Sequence, residues 1–322
     1  MITLNEITEA YFRIKQYIYK TPLVYSDILS DMCGANVYIK LENLQKSGSF
    51  KIRGVFNKVL KLSPQKNMNL ITASSGNHGY GVAFVANQLK YRSTVVVPEY
   101  TPPEKIRLIK AQGAKLILAG GSWDDSFLIA QEIAVKTNGI MISPVGDKEI
   151  IAGQGTIALE ILQDLENLPN YFFCSIGSGS MIAGNGTVIK SLSPQTQVIG
   201  FQTFGADSMY QSVQAGRVKT LSHITSIVEG FAIKQVDKST LQTVMQVVDK
   251  IYRYDDNACI HAALFMLEKT NMLIELSASI CLAPLLNKDI SFKPTDDIVV
   301  ILCGGNNDLQ RIVLKSNTKN VE

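Results

Sequence analysis

Residues 69–79 read NLITASSGNHG. Asn69–Thr72 is a short β-branched apolar run, and the Ser/Gly turn that follows opens an amphipathic segment, Gly79–Leu89. A strand that ends in small residues and feeds a helix is the building unit of a parallel α/β sheet. The unit recurs along the chain. Further candidate strands are Val37–Lys40, Ser93–Val97, Lys115–Leu118, Tyr171–Ser175, Gln197–Phe201 and Ile298–Leu302. Between them lie helical patterns at Pro103–Gln112, Ser122–Thr137, Gly155–Leu165 and Met181–Ser191. Short, uniformly apolar strands are buried on both faces, so the expectation is an α/β fold with open, mostly parallel sheets. Such sheets bind ligands in the turns at their strand ends. Pro and Gly punctuation near Ser143–Gly146 and Leu62–Gln65 marks candidate boundaries, and Lys315–Glu322 reads as a frayed end.

The bulk composition narrows the function class. The chain has 322 residues, of which 46% are hydrophobic and 18% charged, ample for a large core in one or two domains. Its net charge of +3 comes from scattered Lys and Arg, which argues against a nucleic-acid surface. The opening MITLNEITEAYF is not a signal peptide, and no run approaches the ~18 apolar residues of a membrane helix. Five cysteines, Cys33, Cys174, Cys259, Cys281 and Cys303, show no CxxC spacing, which suits a reducing cytoplasm and supplies no metal ligands. The expectation is a cytoplasmic enzyme acting on a small molecule, without metal, nucleic acid or membrane.

Four motifs carry the chemistry. In SGSFKIRG, residues 47–54, Lys51 follows Phe50 among small residues. A desolvated lysine loses its proton more easily and can form a Schiff base with a carbonyl cofactor, although a solvated helix lysine is the commoner role. Ser74-Ser75-Gly76-Asn77-His78-Gly79 presents backbone N–H groups at a positive helix end, and its side chains add hydrogen bonds suited to a carboxylate. An ordinary helix N-cap has the same composition. Gly177-Ser178-Gly179-Ser180-Met181 follows the strand YFFCS, and a turn so poor in side chains lets several amides converge on a phosphate. No GK[ST] follows it, which argues against a nucleotide triphosphatase. Cys303-Gly304-Gly305-Asn306 closes the strand IVVIL, where a thiol can touch the edge of a flat ligand or stay buried and inert. Each motif alone is modest. Their order and shared placement at strand ends are those of a pyridoxal-phosphate site.

In that light the chain resembles fold-type II pyridoxal-phosphate enzymes, specifically the threonine/serine dehydratase and serine racemase family. The resemblance runs from TPLVYSDILS and VYIKLENLQKSGSFKIRG through TASSGNHGYGVA, KIRLIKAQGAKLI and IIAGQGTIALEIL. It continues through GSGSM, VIGFQTFGADSMYQS and IVEGFAIK to VVILCGGNND. It implies a two-lobed, tryptophan synthase β-like fold. A small lobe, 69–146, would be inserted in a large cofactor-binding lobe, 1–68 and 147–322, with no C-terminal regulatory domain. It implies pyridoxal 5'-phosphate held by Lys51 through a Schiff base, with Phe50 against the ring and Asn77 on the ring hydroxyl. Gly177, Ser178, Gly179, Ser180 and Met181 would take the phosphate, and Cys303 would face the ring nitrogen. Ser74, Ser75, Asn77 and His78 would take the substrate carboxylate.

Lys51 would also be the base for the α proton, and Ser75 stands where serine racemases have a second acid/base. The implied activity is α,β-elimination of L-threonine, and of L-serine, to 2-oxobutanoate or pyruvate with ammonia. The alternatives are a serine racemase, a 3-hydroxyaspartate-type dehydratase and, behind both, a non-catalytic relative. The family also implies a homodimer or homotetramer. The chain departs from the family at Ser178 and Ser180 in a turn that is usually all glycine. It has Gln202 and Ser208 where acidic metal ligands stand, Glu229 in place of Asp, ELSAS in place of EPAGA at 275–279, and no aromatic in Ser143–Gly146.

Overall fold

The structure, a computed structural model, describes residues 1–63 and 68–306. Pro64 and Gln65 of the first boundary segment, and the end segment Lys315–Glu322, lie outside the described residues. The strands are β1 (Leu23–Tyr25), β2 (Asn36–Leu41), β3 (Asn69–Ala73), β4 (Arg92–Val97), β5 (Lys115–Leu118), β6 (Ile140–Met141), β7 (Tyr171–Ser175), β8 (Gln197–Thr203), β9 (Lys250–Tyr254) and β10 (Asp297–Leu302). They form two sheets, ordered β1-β2-β10-β7-β8-β9 and β5-β4-β3-β6. The second sheet is entirely parallel, and the first is parallel except at its edge, where β1 runs antiparallel to β2 with Leu23 opposite Lys40. The α/β architecture expected from strand–helix alternation is therefore the observed one.

All seven expected strands are present, within two residues of their expected ends. The three that the sequence pattern does not announce are β1, β6 and β9. The first two have three and two residues, too short to show a period, and β9, KIYRY, is a partly exposed, charged edge strand. The central strands β7 and β10 are almost wholly buried, as uniformly apolar runs require.

Helices cover the sheets. They are α1 (Leu4–Ile14), α2 (Asp27–Cys33), α3 (Lys51–Lys61), α4 (Asn77–Gln88), α5 (Pro103–Ala111), α6 (Trp123–Thr137), α7 (Lys148–Asp164), α8 (Ser180–Leu192), α9 (Ser208–Ala215), α10 (Lys238–Val247), α11 (Asp256–Thr270), α12 (Leu276–Ser279) and α13 (Ala283–Asn287). α7 starts seven residues before the expected Gly155. Asp147 caps it by accepting from Glu149 N at 2.9 Å and Ile150 N at 3.3 Å, and the glycines at 153 and 155 serve close packing instead of ending the helix. A Cβ at Gly153 would lie 2.5 Å from the carbonyl oxygen of Arg53, so the backbones of α3 and α7 meet there.

One apolar cluster surrounds the six-stranded sheet. A second joins the two sheets through α3 and α4: Ile52, Val55, Phe56 and Val59 pack with Leu70 of β3, Val82 and Val85 of α4, and Ile150 of α7. Beside it lies a buried charge cluster. Arg53, with no solvent exposure, donates to Glu42 at 2.8 and 2.7 Å and to Glu160 at 2.7 and 2.8 Å. Lys40 completes it, 2.8 Å from Glu160 and donating to the Thr21 carbonyl at 2.7 Å. Two cations face two carboxylates, each hydrogen-bonded, so no charge is buried alone. Burial opposes the charge on Arg53, but the two carboxylates outweigh it and keep the guanidinium protonated.

Candidate active site

Lys51 is placed by backbone pairing. Ser49 forms an antiparallel bridge with Gly304, Phe50 N donates to the Cys303 carbonyl at 3.1 Å, and Gly305 N donates to the Gly48 carbonyl at 2.9 Å. The chain before α3 thus zips onto the end of β10, and Lys51, the first residue of α3, emerges next to Cys303. The Lys51 amine lies 4.8 Å from the Phe50 ring centre and, among the described residues, makes no hydrogen bond or ion pair. Burial lowers its pKa, with Cys303 and Glu275 pulling the other way.

The helix that follows β3 packs against Lys51. Gly81 of α4 lies against Lys51: a Cβ there would be 3.6 Å from Lys51 Cβ. Asn77 opens α4, whose N-cap Gly76 has no side chain to occupy the first N–H groups. Asn77 Nδ2 donates to Glu275 Oε1 and Oε2 at 2.8 and 2.9 Å, and Asn77 Oδ1 accepts from Asn306 Nδ2 at 2.8 Å. Ser74 and Ser75 are partly exposed beside it. Ser74 Oγ accepts from Gly76 N at 3.3 Å, whereas the Ser75 hydroxyl makes no hydrogen bond among the described residues. His78 is different. Its side chain is 3% exposed and turned inward, with Nε2 at 3.0 Å from the Ile142 carbonyl, so only its backbone N–H remains available at the helix start.

The third motif joins β7 to α8. Gly179 has φ +90° and no side-chain cap, which leaves the first N–H groups of α8 open. Ser178 Oγ is committed to the Pro144 carbonyl at 3.1 Å and lies 3.4 Å from Ser180 Oγ, so the hydroxyl of Ser178 braces the turn. Just before the turn, Ser175 Oγ donates to Cys303 Sγ at 3.6 Å. Cys303 is 5% exposed, and burial, helped by Glu275, pushes its thiol up to about 12, so it is neutral. Lys51 and Cys303 are thus held side by side by backbone pairing, Asn77 lies against the Gly304 backbone next to Cys303, and Ser175, two residues before the 177–181 turn, bonds the Cys303 sulfur.

The structure also places Glu275, the first residue of ELSAS, and Gln202. Glu275 is held by its own N–H on the Gly304 carbonyl at 3.0 Å and accepts from Asn306 N at 2.9 Å. Ser277 Oγ lies 3.4 Å from Glu275 Oε2 and 3.8 Å from Cys303 Sγ. The available signal was a lone acid in the apolar stretch MLIELSAS, residues 272–279. Gln202 is fully buried with its amide committed to the Ile176 and Ala206 carbonyls and to Tyr210 N.

Known proteins are similar to this chain over nearly all of its length. An L-threonine ammonia-lyase from Thermotoga maritima is 37% identical over 97% of this chain and 77% of its own length. The catabolic L-threonine dehydratase of Staphylococcus aureus is 35% identical over 97% of this chain and 91% of its own. Among solved structures, a threonine deaminase from T.th. superposes with a TM-score of 0.89 at 31% identity, covering 95% of this chain and 99% of that one. Maize serine racemase gives 0.90 at 29%, covering 99% and 98%. The profile of the pyridoxal-phosphate dependent enzyme family matches residues 14–304, nearly the whole described chain, and the chain belongs to that family.

Proposed function

We propose that this protein is a threonine ammonia-lyase, converting L-threonine to 2-oxobutanoate and ammonia, with L-serine as a second substrate giving pyruvate. The observation that carries the reading is the unpaired Lys51 amine, its pKa lowered by burial, in a site whose relatives are named for this reaction. The residues fit pyridoxal 5'-phosphate. Lys51 would anchor its aldehyde covalently, Phe50 and Asn77 would flank the ring, Cys303 would meet the ring nitrogen, and residues 177–181 would hold the phosphate with backbone N–H groups. When bound, the cofactor supplies a carbonyl that links to amines and a conjugated ring that accepts the electron pair left at the α carbon.

The chain's own groups do the rest. A lysine with a lowered pKa has more of its population as free amine, the form that takes a proton from carbon. The N-terminal N–H groups of α4, with Ser74, Ser75 and Asn77, hold the substrate carboxylate. The buried, neutral Cys303 offers the ring no counter-charge, which favours departure of the β-hydroxyl over amino-group transfer. Residues 69–146, built on the four-stranded sheet, are read as a lobe inserted in the lobe formed by 1–68 and 147–322, with the site at their junction. A second reading, serine racemase, is favoured by one observation: among the described residues the Ser75 hydroxyl is unpartnered beside the start of α4.

Lys51→Ala is expected to abolish both the visible-edge absorbance of the loaded protein and oxo-acid production. The substrate assay is a panel of L-threonine, L-serine, D-serine and 3-hydroxyaspartate, scored for oxo acid and for chirality. Oxo acid chiefly from L-threonine supports the lyase; serine mostly racemised replaces it with the second reading.

A further inference from the structure

Glu275 reaches both of the polar non-lysine side chains expected on the cofactor ring, Asn77 directly and Cys303 through one hydroxyl. Among the described residues, every partner of its carboxylate donates to it: Asn77 Nδ2 at 2.8 and 2.9 Å, Asn306 N at 2.9 Å, and Ser277 Oγ at 3.4 Å. An acceptor-only group surrounded by donors fixes the polarity of what it touches. Asn77 must turn its NH₂ edge to Glu275. Its Oδ1 then accepts from Asn306 Nδ2 at 2.8 Å, and Asn306 Nδ2 also donates to the Ser47 carbonyl at 2.8 Å. The amide cannot invert without setting Oδ1 against a carboxylate.

The second arm runs through Ser277. A serine hydroxyl has one proton, and when that proton goes to Glu275 Oε2 the 3.8 Å contact with Cys303 has to be donated by the thiol. Ser175 Oγ donates to the same sulfur at 3.6 Å. Cys303 therefore spends its proton on Ser277. Were Glu275 to gain a proton, the order would reverse: Glu275 would donate to Ser277, Ser277 to Cys303, and the thiol proton would be free to turn elsewhere.

We propose that Glu275 is the positioning residue of the site: as a carboxylate it dictates the edge that Asn77 presents and, through Ser277, the direction of the Cys303 thiol proton. The inference rests on the pyridoxal-phosphate reading and deepens it. The titratable and charged groups around Glu275 are Lys51 on α3, Lys105 on α5 and Cys303 after β10; burial raises its pKa, while Asn77, Asn306, Lys105 and Ser277 oppose that rise.

The test uses the cofactor-stripped protein, titrated with pyridoxal phosphate and followed by fluorescence, together with the pH dependence of the loaded protein's absorbance. Wild type must bind, and lose its absorbance in Lys51→Ala; failure there defeats the underlying reading, and this inference with it. Given binding, Glu275→Gln is expected to weaken cofactor affinity by about tenfold or more, the scale of a lost charged hydrogen bond. Ser277→Ala is expected to leave affinity within about threefold and to shift the pH midpoint of the absorbance. The exchange Glu275→Gln with Asn77→Asp restores the donor–acceptor order: the introduced amide donates to the introduced carboxylate and accepts from Asn306. It should recover thermal stability of the stripped protein relative to Glu275→Gln alone. Affinity and absorbance unchanged in Glu275→Gln, or no recovery in the exchange, would overturn the proposal; an unmoved pH midpoint in Ser277→Ala would sever its thiol arm.

Discussion

His78 is held with Nε2 on the carbonyl of Ile142, so that nitrogen carries the proton, and Nδ1 is buried without a partner among the described residues. Burial, reinforced by the nearby Lys51, lowers its pKa from 6.5 to about 3. A histidine buried neutral favours the folded state fully above its unfolded pKa, and that advantage is lost as pH falls from 6.5 toward about 3. One pH unit below the unfolded value the loss is about 1.4 kcal/mol. Urea melts should therefore show wild type losing more stability between neutral and mildly acid pH than His78→Gln, whose amide can still donate to Ile142; equal slopes would contradict the buried neutral imidazole. The sequence made His78 conspicuous through its Ser/Gly/Asn neighbours. Which way the ring turned was not readable, because that depends on where Ile142, just past β6 and 64 residues away, comes to lie. Lys51 and Cys303 were legible because their neighbours are diagnostic. Glu275 was visible only as the acid that opens ELSAS, because the partners that define its place come from other segments.

The turn between β7 and α8 shows how an element reads from composition. Small residues after an apolar strand announced it, and the structure explains the two positions that must be glycine. Gly179 has φ +90°, and a Cβ there would lie 2.5 Å from Met209 Cε and 3.0 Å from Thr240 Cγ2; at Gly177 a Cβ would lie 2.4 Å from the Gly230 carbonyl oxygen. The serines at 178 and 180 occupy positions with room for a hydroxyl. Gly179→Ala is expected to cost about 1–2 kcal/mol from left-handed strain alone. It should also weaken cofactor binding through the displaced N–H groups. Thermal melts of the stripped protein, set beside a cofactor titration, separate the two effects. The start of α7 was misread for a related reason: glycines 153 and 155 resemble a break until the neighbouring backbone of α3 is seen against them.

For the whole molecule, strand–helix alternation was enough to read an α/β fold, but not the strand order or the cluster that joins its layers. Arg53, Lys40, Glu42 and Glu160 read separately as ordinary charges. Together they tie β2, α3 and α7, and Arg53 is two residues from Lys51. Arg53→Met leaves two buried carboxylates facing a single lysine and is expected to cost about 3–5 kcal/mol, read as a lowered denaturation midpoint. Elsewhere, Lys105 of α5 pairs with Glu229, and Lys234 approaches Asp124 of α6 at 3.9 Å. These surface pairs are worth little individually, and added salt should weaken them further.

The same cluster has a temporal consequence. Arg53 and Glu160 are 107 residues apart in the chain. A ribosome adding residues at ordinary rates needs roughly 5–20 s to cover that interval. All four strands of the smaller sheet, residues 69–141, are made within it. The nascent chain can pair that sheet while the guanidinium two residues beyond Lys51 still waits for its second carboxylate, so the surroundings of Lys51 are finished only after the segment made later has docked.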